Sequence, residues 1–330
     1  MTTRDEDTSG EDKMIARFFA PLAGHPGALG LSDDAAVITP PEGCDLVLTA
    51  DGIVGGVHFF ADDAADTIAR RALRVNLSDL AAKGAAPLGF LLTLALPPET
   101  GEDWLDRFTQ GLREDAAHYK CPLLGGDSLR TPGPVTVSVA MFGSVPAGTM
   151  VRRAGARPGD IVFVSGTIGD GALGLGLRKG AAWTLDEAQR QHLAARYLLP
   201  QPRNVLAEAV RTHASAAMDV SDGLAGDLAK LCRVSQVAAE IDAARVPLSD
   251  AARAVVAADA ATLEIALTGG DDYEILCTVA PERCESFRAA ARGAEVPVSE
   301  IGRIVAGEGA RFIGKDGGTL IFKRAAFSHF

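Results

Sequence analysis

Aspartate is the residue type in this chain whose spacing could do chemistry. Asp33-Asp34, Asp51, Asp79, Asp127, Asp219 with Asp222, and Asp271-Asp272 recur along the whole length, most of them beside glycine, serine or alanine. The stretch from Val47 to Phe59 shows the pattern in full: an apolar strand, a carboxylate at Asp51, glycine-rich backbone at Gly55-Gly56, then a lone histidine, His58, beside Phe59. Small residues let backbone approach a ligand, and carboxylates that outnumber nearby cations suit a hard divalent ion. Magnesium prefers carboxylates, water and phosphate oxygens to nitrogen or sulfur, so the recurrence suggests several such ions. Taken singly, each acid also has an ordinary explanation. Asp33-Asp34 suits a turn whose side chains bond local backbone, Gly125-Gly126-Asp127 suits a Gly-Asp turn, and Ser221 or Asp222 could cap a helix from Leu224 to Val234.

The elements that must carry these residues alternate in a mixed α/β manner. A strand over Asp45 to Thr49 runs into Asp51. Residues Asp66 to Lys83 read as a helix with Ile68, Ala72 and Val75 at i, i+4 and i+7 and Asp79 one turn further along the same stripe. The same helix, rolled so that Leu73, Leu77 and Leu80 carry the core, would leave Asp79 solvated. Strands are expected at Phe90 to Leu96, at Pro122 into the Gly125-Gly126-Asp127 junction, and at Val135 to Val145, with a helix over Glu102 to Tyr119. A turn-rich basic connector, Arg152 to Asp160, leads to a strand at Ile161 to Ser165. Gly166 to Gly171 then opens a helix, an arrangement that suits a bound anion and equally a tight structural turn. Helices follow over Leu185 to Tyr197 and Val205 to His213, and strands over Leu263 to Leu267, Tyr273 to Val279 and Ala310 to Phe322.

Length and composition narrow the class. A chain of 330 residues, 47% apolar and 23% charged, is comfortable as two soluble domains, here 1–148 and 149–330. Its formal charge of −11 with scattered Lys and Arg gives no footprint for nucleic acid. No apolar run reaches membrane-spanning length, and the acidic start Met1-Thr2-Thr3-Arg4-Asp5-Glu6-Asp7 lacks the basic and apolar regions of a signal peptide, which points to the cytoplasm and away from membranes. The cysteines Cys44, Cys121, Cys232, Cys277 and Cys284 are odd in number and form no C-x-x-C pair, which argues against a disulfide framework and a zinc site.

The motifs, in order, resemble those of the thiamine-monophosphate kinases: Asp33-Asp34-Ala35-Ala36, Thr49-Ala50-Asp51 with His58-Phe59, Asn76 to Ala82, Gly125-Gly126-Asp127, Arg153-Ala154-Gly155 with Pro158-Gly159-Asp160, Asp219 to Leu224 and Gly269 to Glu274. The resemblance covers nearly the whole chain. It implies the fold of the superfamily that includes aminoimidazole ribonucleotide synthetase and selenophosphate synthetase, with an N-terminal sheet domain that forms a homodimer and a C-terminal α/β domain. It also implies ATP as co-substrate and several magnesium ions. By the same resemblance Asp34, Thr49, Ala50 through its backbone, Asp51, Asp79, Asp127, Asp219 and Asp222 hold magnesium, and Gly126, Asp127, Arg153 and Ser221 contact ATP. His58 and Asp271 face thiamine monophosphate, and Asp51, Asp127 and Arg153 bear most directly on catalysis.

This chain departs from the family pattern in places. Asp271 stands where glutamate is more usual, Ser32 where glycine is, and Lys83 where methionine is. The aromatic residue expected against the substrate near the C-terminus falls at Arg324 in an ungapped alignment, with Phe322 or Phe327 as substitutes. Two rivals follow. A selenophosphate-forming relative should carry a reactive cysteine in a glycine-rich N-terminal segment, and none precedes Cys44. A non-catalytic protein that binds thiamine phosphates would keep the scaffold without turnover.

Overall fold

The structure is a computed structural model that describes residues 9–324 and Ala326. It separates into two compact units, one holding the residues up to Asn76 together with Pro87–Ser144, the other holding Leu77–Ala86 and everything from Val145 onward.

The first unit opens with α1 (Gly10–Met14), closed at its start by a reciprocal capping box between Ser9 and Asp12. Tight turns follow through Ile15–Phe19 and Ala20–Leu22, burying Phe18, Phe19 and Leu22. Beyond them come β1 (Cys44–Val54), α2 (Ala65–Ala82), whose end from Leu77 belongs to the second unit, β2 (Ala86–Leu96), α3 (Glu102–His118), β3 (Leu123–Arg130) and β4 (Thr136–Pro146). The strands form one sheet in the order β1-β4-β2-β3, in which β2 and β3 run parallel. Helix α3 turns Leu105, Phe108 and Leu112 inward, and Arg74 of α2 grips Asp115 of α3 with two hydrogen bonds of 2.6 and 2.9 Å. Both stripes expected on α2 are buried, because Ile68, Ala72 and Val75 and also Leu73, Leu77 and Leu80 lie inside.

Two sequence expectations change here. Asp51 and Asp127 do not terminate their strands: β1 continues to Val54 and β3 to Arg130, so each acid is carried within a strand. Strand pairing runs straight through the junction, with Gly125 and Gly126 opposite Leu91 and Leu92.

In the second unit β5 (Ile161–Ser165), β6 (Ala214–Asp219), β7 (Ala238–Asp242), β8 (Ile275–Val279), β9 (Val298–Val305) and β10 (Gly309–Ile313) form a sheet in the order β10-β7-β9-β5-β8-β6. Its pairs are antiparallel except β10 with β7. The helices are α4 (Asp170–Arg178), α5 (Glu187–Leu198), α6 (Ala207–His213), α7 (Leu224–Ser235), α8 (Asp250–Ala258), α9 (Thr262–Thr268) and α10 (Cys284–Gly293). An apolar core that includes Val162, Val164, Met218, Leu228, Ile241 and Ile301 packs α7 onto the sheet, and a separate one gathers Phe163, Val210, Ile275 and Phe287. The strand expected over Leu263 to Leu267 is instead helix α9. It buries Thr262, Ala266 and Leu267, an i, i+4, i+5 set, and leaves Ile265 exposed, which a strand's alternation would not do. The tail expected as strands over Ala310 to Phe322 pairs only through β10 and an isolated bridge between Ile313 and Thr319. Among the described residues, no helix is long and apolar enough to cross a membrane.

Candidate active site

The first unit builds its acidic surface from a turn and strands. Within the tight turn Pro26–Leu31 the backbone is left-handed at Leu29, Gly30 and Leu31, the Ser32 hydroxyl donates to the Leu29 carbonyl at 2.7 Å, and Val37 N–H donates to the Gly27 carbonyl at 2.9 Å. These bonds hold Asp33 and Asp34 on an exposed loop. Strand β3 carries the next acid. A Cβ placed on Gly126 would lie 1.9 Å from the Leu92 carbonyl oxygen, so a side chain there would force β3 away from β2 and displace Asp127. Asp33, Asp34, Gly126, Asp127 and Ser128 line one cavity of about 610 Å³, whose remaining wall includes Phe19, Leu31 and Leu91. No lysine or arginine stands among its described lining residues.

Thr49, Ala50 and Asp51 follow one another on β1. The N–H of Asp51 donates at 3.0 Å to the side-chain carbonyl of Asn76, whose amide in turn donates to the Ala72 carbonyl of α2. Asn76 is fully buried and fixes the height of Asp51; its polarity amid a run of apolar helix positions was the available sequence signal. His58 is half-buried, and its Nδ1 accepts the Val54 N–H at 3.0 Å, so the neutral ring carries its proton on Nε2.

The second unit gathers the other candidates at the end of β6. Asp219 is buried and accepts the Ser78 hydroxyl at 2.8 Å. Burial pushes its carboxyl up to about 8, nearby Asp79 adds to the rise, and the Ser78 hydrogen bond opposes it. The Lys83 ammonium donates to the Ala217 carbonyl at 2.7 Å. Burial lowers it to about 8, Arg153 acts in the same sense, and Asp219 and Asp79 act against it. Arg153, Asp79 and Asp219 are thus within electrostatic reach of one group.

After Asp219 the chain turns at Gly223 into α7 without a side-chain cap from Ser221 or Asp222. The amides of Ser221 and Asp222 instead both donate at 3.0 Å to the carboxylate of Asp227, one turn into the helix. Lys230 binds the carboxylates of both Asp222 and Asp227. Sequence reasoning passed over this pair, although Asp227 and Lys230 lie i, i+3 on the helix that Asp222 introduces.

The segment 269–274 is stitched to this turn. Asp271 N–H donates to the Ser221 carbonyl at 2.9 Å, Tyr273 N–H to the Val220 carbonyl at 2.8 Å, and Val220 N–H to the Glu274 carbonyl at 2.8 Å. A Cβ on Gly270 would meet the Ser221 carbonyl at 2.3 Å, so the two loops touch backbone to backbone. Asp271 and Tyr273 both take left-handed conformations, with φ of 72° and 52°. Such geometry in residues other than glycine persists only where the surroundings enforce it.

The loop Gly166 to Gly171 does not present a free anion cradle. Its amides at Gly169 and Gly171 donate at 2.7 and 3.1 Å to the carboxyl oxygens of Asp272, so the start of α4 is already filled by an internal side chain. Behind it lies a buried charge network. Glu274 accepts hydrogen bonds from Ser165, Arg196 and Arg203, and Asp170 accepts from Thr167 and Ser249. Phe322, one of the expected aromatic contacts, packs its ring 5.4 Å from that of Phe312, and Phe327 lies outside the described residues.

The fit of these donors to magnesium has two sides. The cavity lined by Asp33, Asp34 and Asp127 and the buried Asp219 beside Asp79 both call for positive charge. Yet among the described residues no three His, Cys, Asp or Glu side chains stand close enough to ligate one ion. Magnesium takes one or two carboxylates and completes its shell with water and substrate phosphates.

Comparisons with known proteins agree on the whole chain. Residues 32–145 match the N-terminal domain of the AIR synthase related proteins and residues 157–315 their C-terminal domain. A thiamine-monophosphate kinase of Caulobacter vibrioides is 46% identical over 308 residues, covering 92% of this chain and 86% of its own. The Salmonella typhimurium enzyme of the same name is 38% identical over 325 residues, covering 97% and 98%. Among solved structures, the thiamine-monophosphate kinase of Stenotrophomonas maltophilia superposes with a TM-score of 0.81 at 39% identity, covering 94% of this chain and 96% of that one. A structure described as AaThiL complexed with AMPPCP and TMP superposes at 0.77 with 33% identity, covering 90% and 91%.

Proposed function

The chain belongs to the thiamine-monophosphate kinase family, and from that premise we propose how its own residues serve the transfer of the ATP γ-phosphoryl group to the phosphate of thiamine monophosphate, giving thiamine diphosphate and ADP. The acceptor phosphate has a second pKa of about 6, so near neutrality it arrives largely deprotonated and needs no general base. His58, with Nδ1 committed to the Val54 N–H, therefore orients the substrate rather than shuttling a proton.

The barrier is electrostatic. Two like unit charges about 4 Å apart oppose each other by roughly 4 kcal/mol at an effective dielectric near 20. Bound magnesium supplies the neutralisation and alignment that the phosphates need. Asp34, Thr49, Ala50 through its carbonyl, Asp51, Asp79, Asp127, Asp219 and Asp222 would hold several such ions, Asp222 after release from Lys230. Gly126 and Ser221 contact ATP, and Arg153 clamps its phosphates. His58, Asp271 and Phe327 are the residues this reading assigns to thiamine monophosphate.

The observation that supports this assignment is the cavity of about 610 Å³ whose described wall carries Glu11, Asp33, Asp34 and Asp127 and no lysine or arginine, a surface suited to meeting a polyanion through bound cations. Its test is incubation with ATP, magnesium and thiamine monophosphate, followed by chromatographic detection of thiamine diphosphate and a control without acceptor. Thiamine diphosphate and ADP in equal amounts, both lost on chelation, is the expected result. Transfer that survives chelation overturns the metal assignment.

The enzyme acts as a homodimer in this proposal. Strand β1 is an edge of its sheet and leaves Leu46 and Leu48 38% and 64% exposed, a surface that a second copy would cover. The cysteines, all of them thiols, support a cytoplasmic setting.

A further inference from the structure

Lys83 is a charged residue that the reaction as described does not use. It follows α2 directly, its N–H still donating to the Asp79 carbonyl at 3.0 Å, so its side chain leaves the helix on the face that carries Asp79 one turn earlier. Its ammonium reaches the Ala217 carbonyl of β6 at 2.7 Å. Asp219 lies two residues further along that strand, on the same face as Ala217. The Ser78 hydroxyl binds the Asp219 carboxylate at 2.8 Å, which brings the end of α2 and the end of β6 together around this ammonium. A half-buried lysine anchored on a main-chain carbonyl gives up hydration, and packing alone would be served as well by a neutral side chain of the same length.

We propose that Lys83 is a built-in counter-cation for the Asp79–Asp219 pair, stabilising the metal-free protein and setting the affinity at which a divalent cation loads there. The inference rests on the assignment of Asp79 and Asp219 as metal acids. Lys83 cannot itself ligate the ion while protonated, so it acts through charge alone: it attracts the carboxylates in the empty site and repels the incoming cation. Loading therefore exchanges one source of positive charge for another, and removing the ammonium should tighten metal binding while weakening the empty protein.

The test is Mn²⁺ titration of the nucleotide-free protein, followed by the electron paramagnetic resonance signal of the free ion, with melting curves in chelator alongside. The variants are Lys83→Met, Lys83→Gln, Asp79→Asn and the Lys83→Gln/Asp79→Asn double. Glutamine removes the charge but keeps a neutral N–H donor, and methionine removes both, so the pair separates the loss of charge from the loss of a donor. Both Lys83 variants should bind Mn²⁺ on the order of tenfold more tightly, the scale of one partly screened charge pair, and melt at lower temperature in chelator. In the Asp79→Asn background the gain in affinity should shrink or vanish. Asp79→Asn binding weaker than wild type together with unchanged Mn²⁺ midpoints in both Lys83 variants overturns the counter-cation and spares the metal assignment. Asp79→Asn binding as tightly as wild type overturns the metal assignment and the inference with it.

Discussion

At the scale of single residues the assignments differ in what a substitution would disturb. Asp127 is exposed and sits on a strand pinned by the close approach of Gly126 to Leu92, so Asp127→Asn should leave the melting temperature near that of wild type. Its effect should appear in turnover, as a fall in kcat of roughly 10²–10³-fold, the scale seen when one electrostatic contact to a transition state is removed. Asp51→Asn should do the same, because the Asn76 bond is to the main-chain N–H of Asp51 and survives the change. Full kcat in either variant at limiting magnesium would remove that acid from the metal set. His58 asks for a different measurement. Asn at this position can still accept the Val54 N–H but lacks the imidazole Nε2–H, so His58→Asn should raise KM for thiamine monophosphate while changing kcat little. A collapse of kcat with KM unchanged, and a pH profile that loses one limb, would instead make His58 a proton carrier.

At the scale of elements, backbone approach decides how the site is held. A methyl group on Gly126 would meet the Leu92 carbonyl oxygen at 1.9 Å, whereas one on Gly125 would meet the flexible Leu91 side chain at 3.3 Å. Gly126→Ala should therefore cost about 1–3 kcal/mol or more in stability and depress activity, and Gly125→Ala should be nearly silent by both measures. Equal melting temperatures for the two would mean that β3 relaxes freely and that the glycine serves only ligand access. The same contrast explains what could be read in advance. The i, i+4, i+7 spacing of Ile68, Ala72 and Val75 speaks for α2 without help, and the alternation of strands and helices announces the class. Thr262 to Thr268 is too short for its period to exclude a strand, and only tertiary burial of Thr262, Ala266 and Leu267 selects a helix. The acids were legible because each stands out in its own segment. Their partners were not: Lys230 holds Asp222 from two turns along α7, Ser78 reaches Asp219 across 141 positions, and Asp272 fills the glycine loop of α4 from 103 positions away.

At the scale of the whole molecule, a chain with formal charge −11 that handles two phosphate compounds has few cations to spare, and the second unit commits some of them to its interior. Arg196 and Arg203 both bind Glu274, which is fully buried, and Arg196 also donates to the Asp272 carbonyl at 3.1 Å. Both guanidiniums commit donors to the interior rather than to solvent. The network instead holds the backbone of 272–274, from which the left-handed Asp271 projects beside Ser221. Breaking one member of a buried pair leaves the others without compensation and typically costs about 3–5 kcal/mol, whereas replacing both partners with apolar groups costs much less. Glu274→Gln should accordingly lower stability by about 3–5 kcal/mol, and adding Arg203→Met to Glu274→Met should recover only the share due to Arg203 in denaturant titrations, since Arg196 stays buried with Asp170 as its remaining carboxylate. Activity need not follow stability. At a temperature where both variants remain folded, the double variant should still show a raised KM for thiamine monophosphate, because Asp271 depends on the hydrogen-bonded geometry of 272–274 rather than on the net stability of the unit. A double variant with wild-type KM would show that the main-chain bonds of Asp271 and Tyr273 to Ser221 and Val220 hold the loop by themselves, leaving the charge network a role in stability alone.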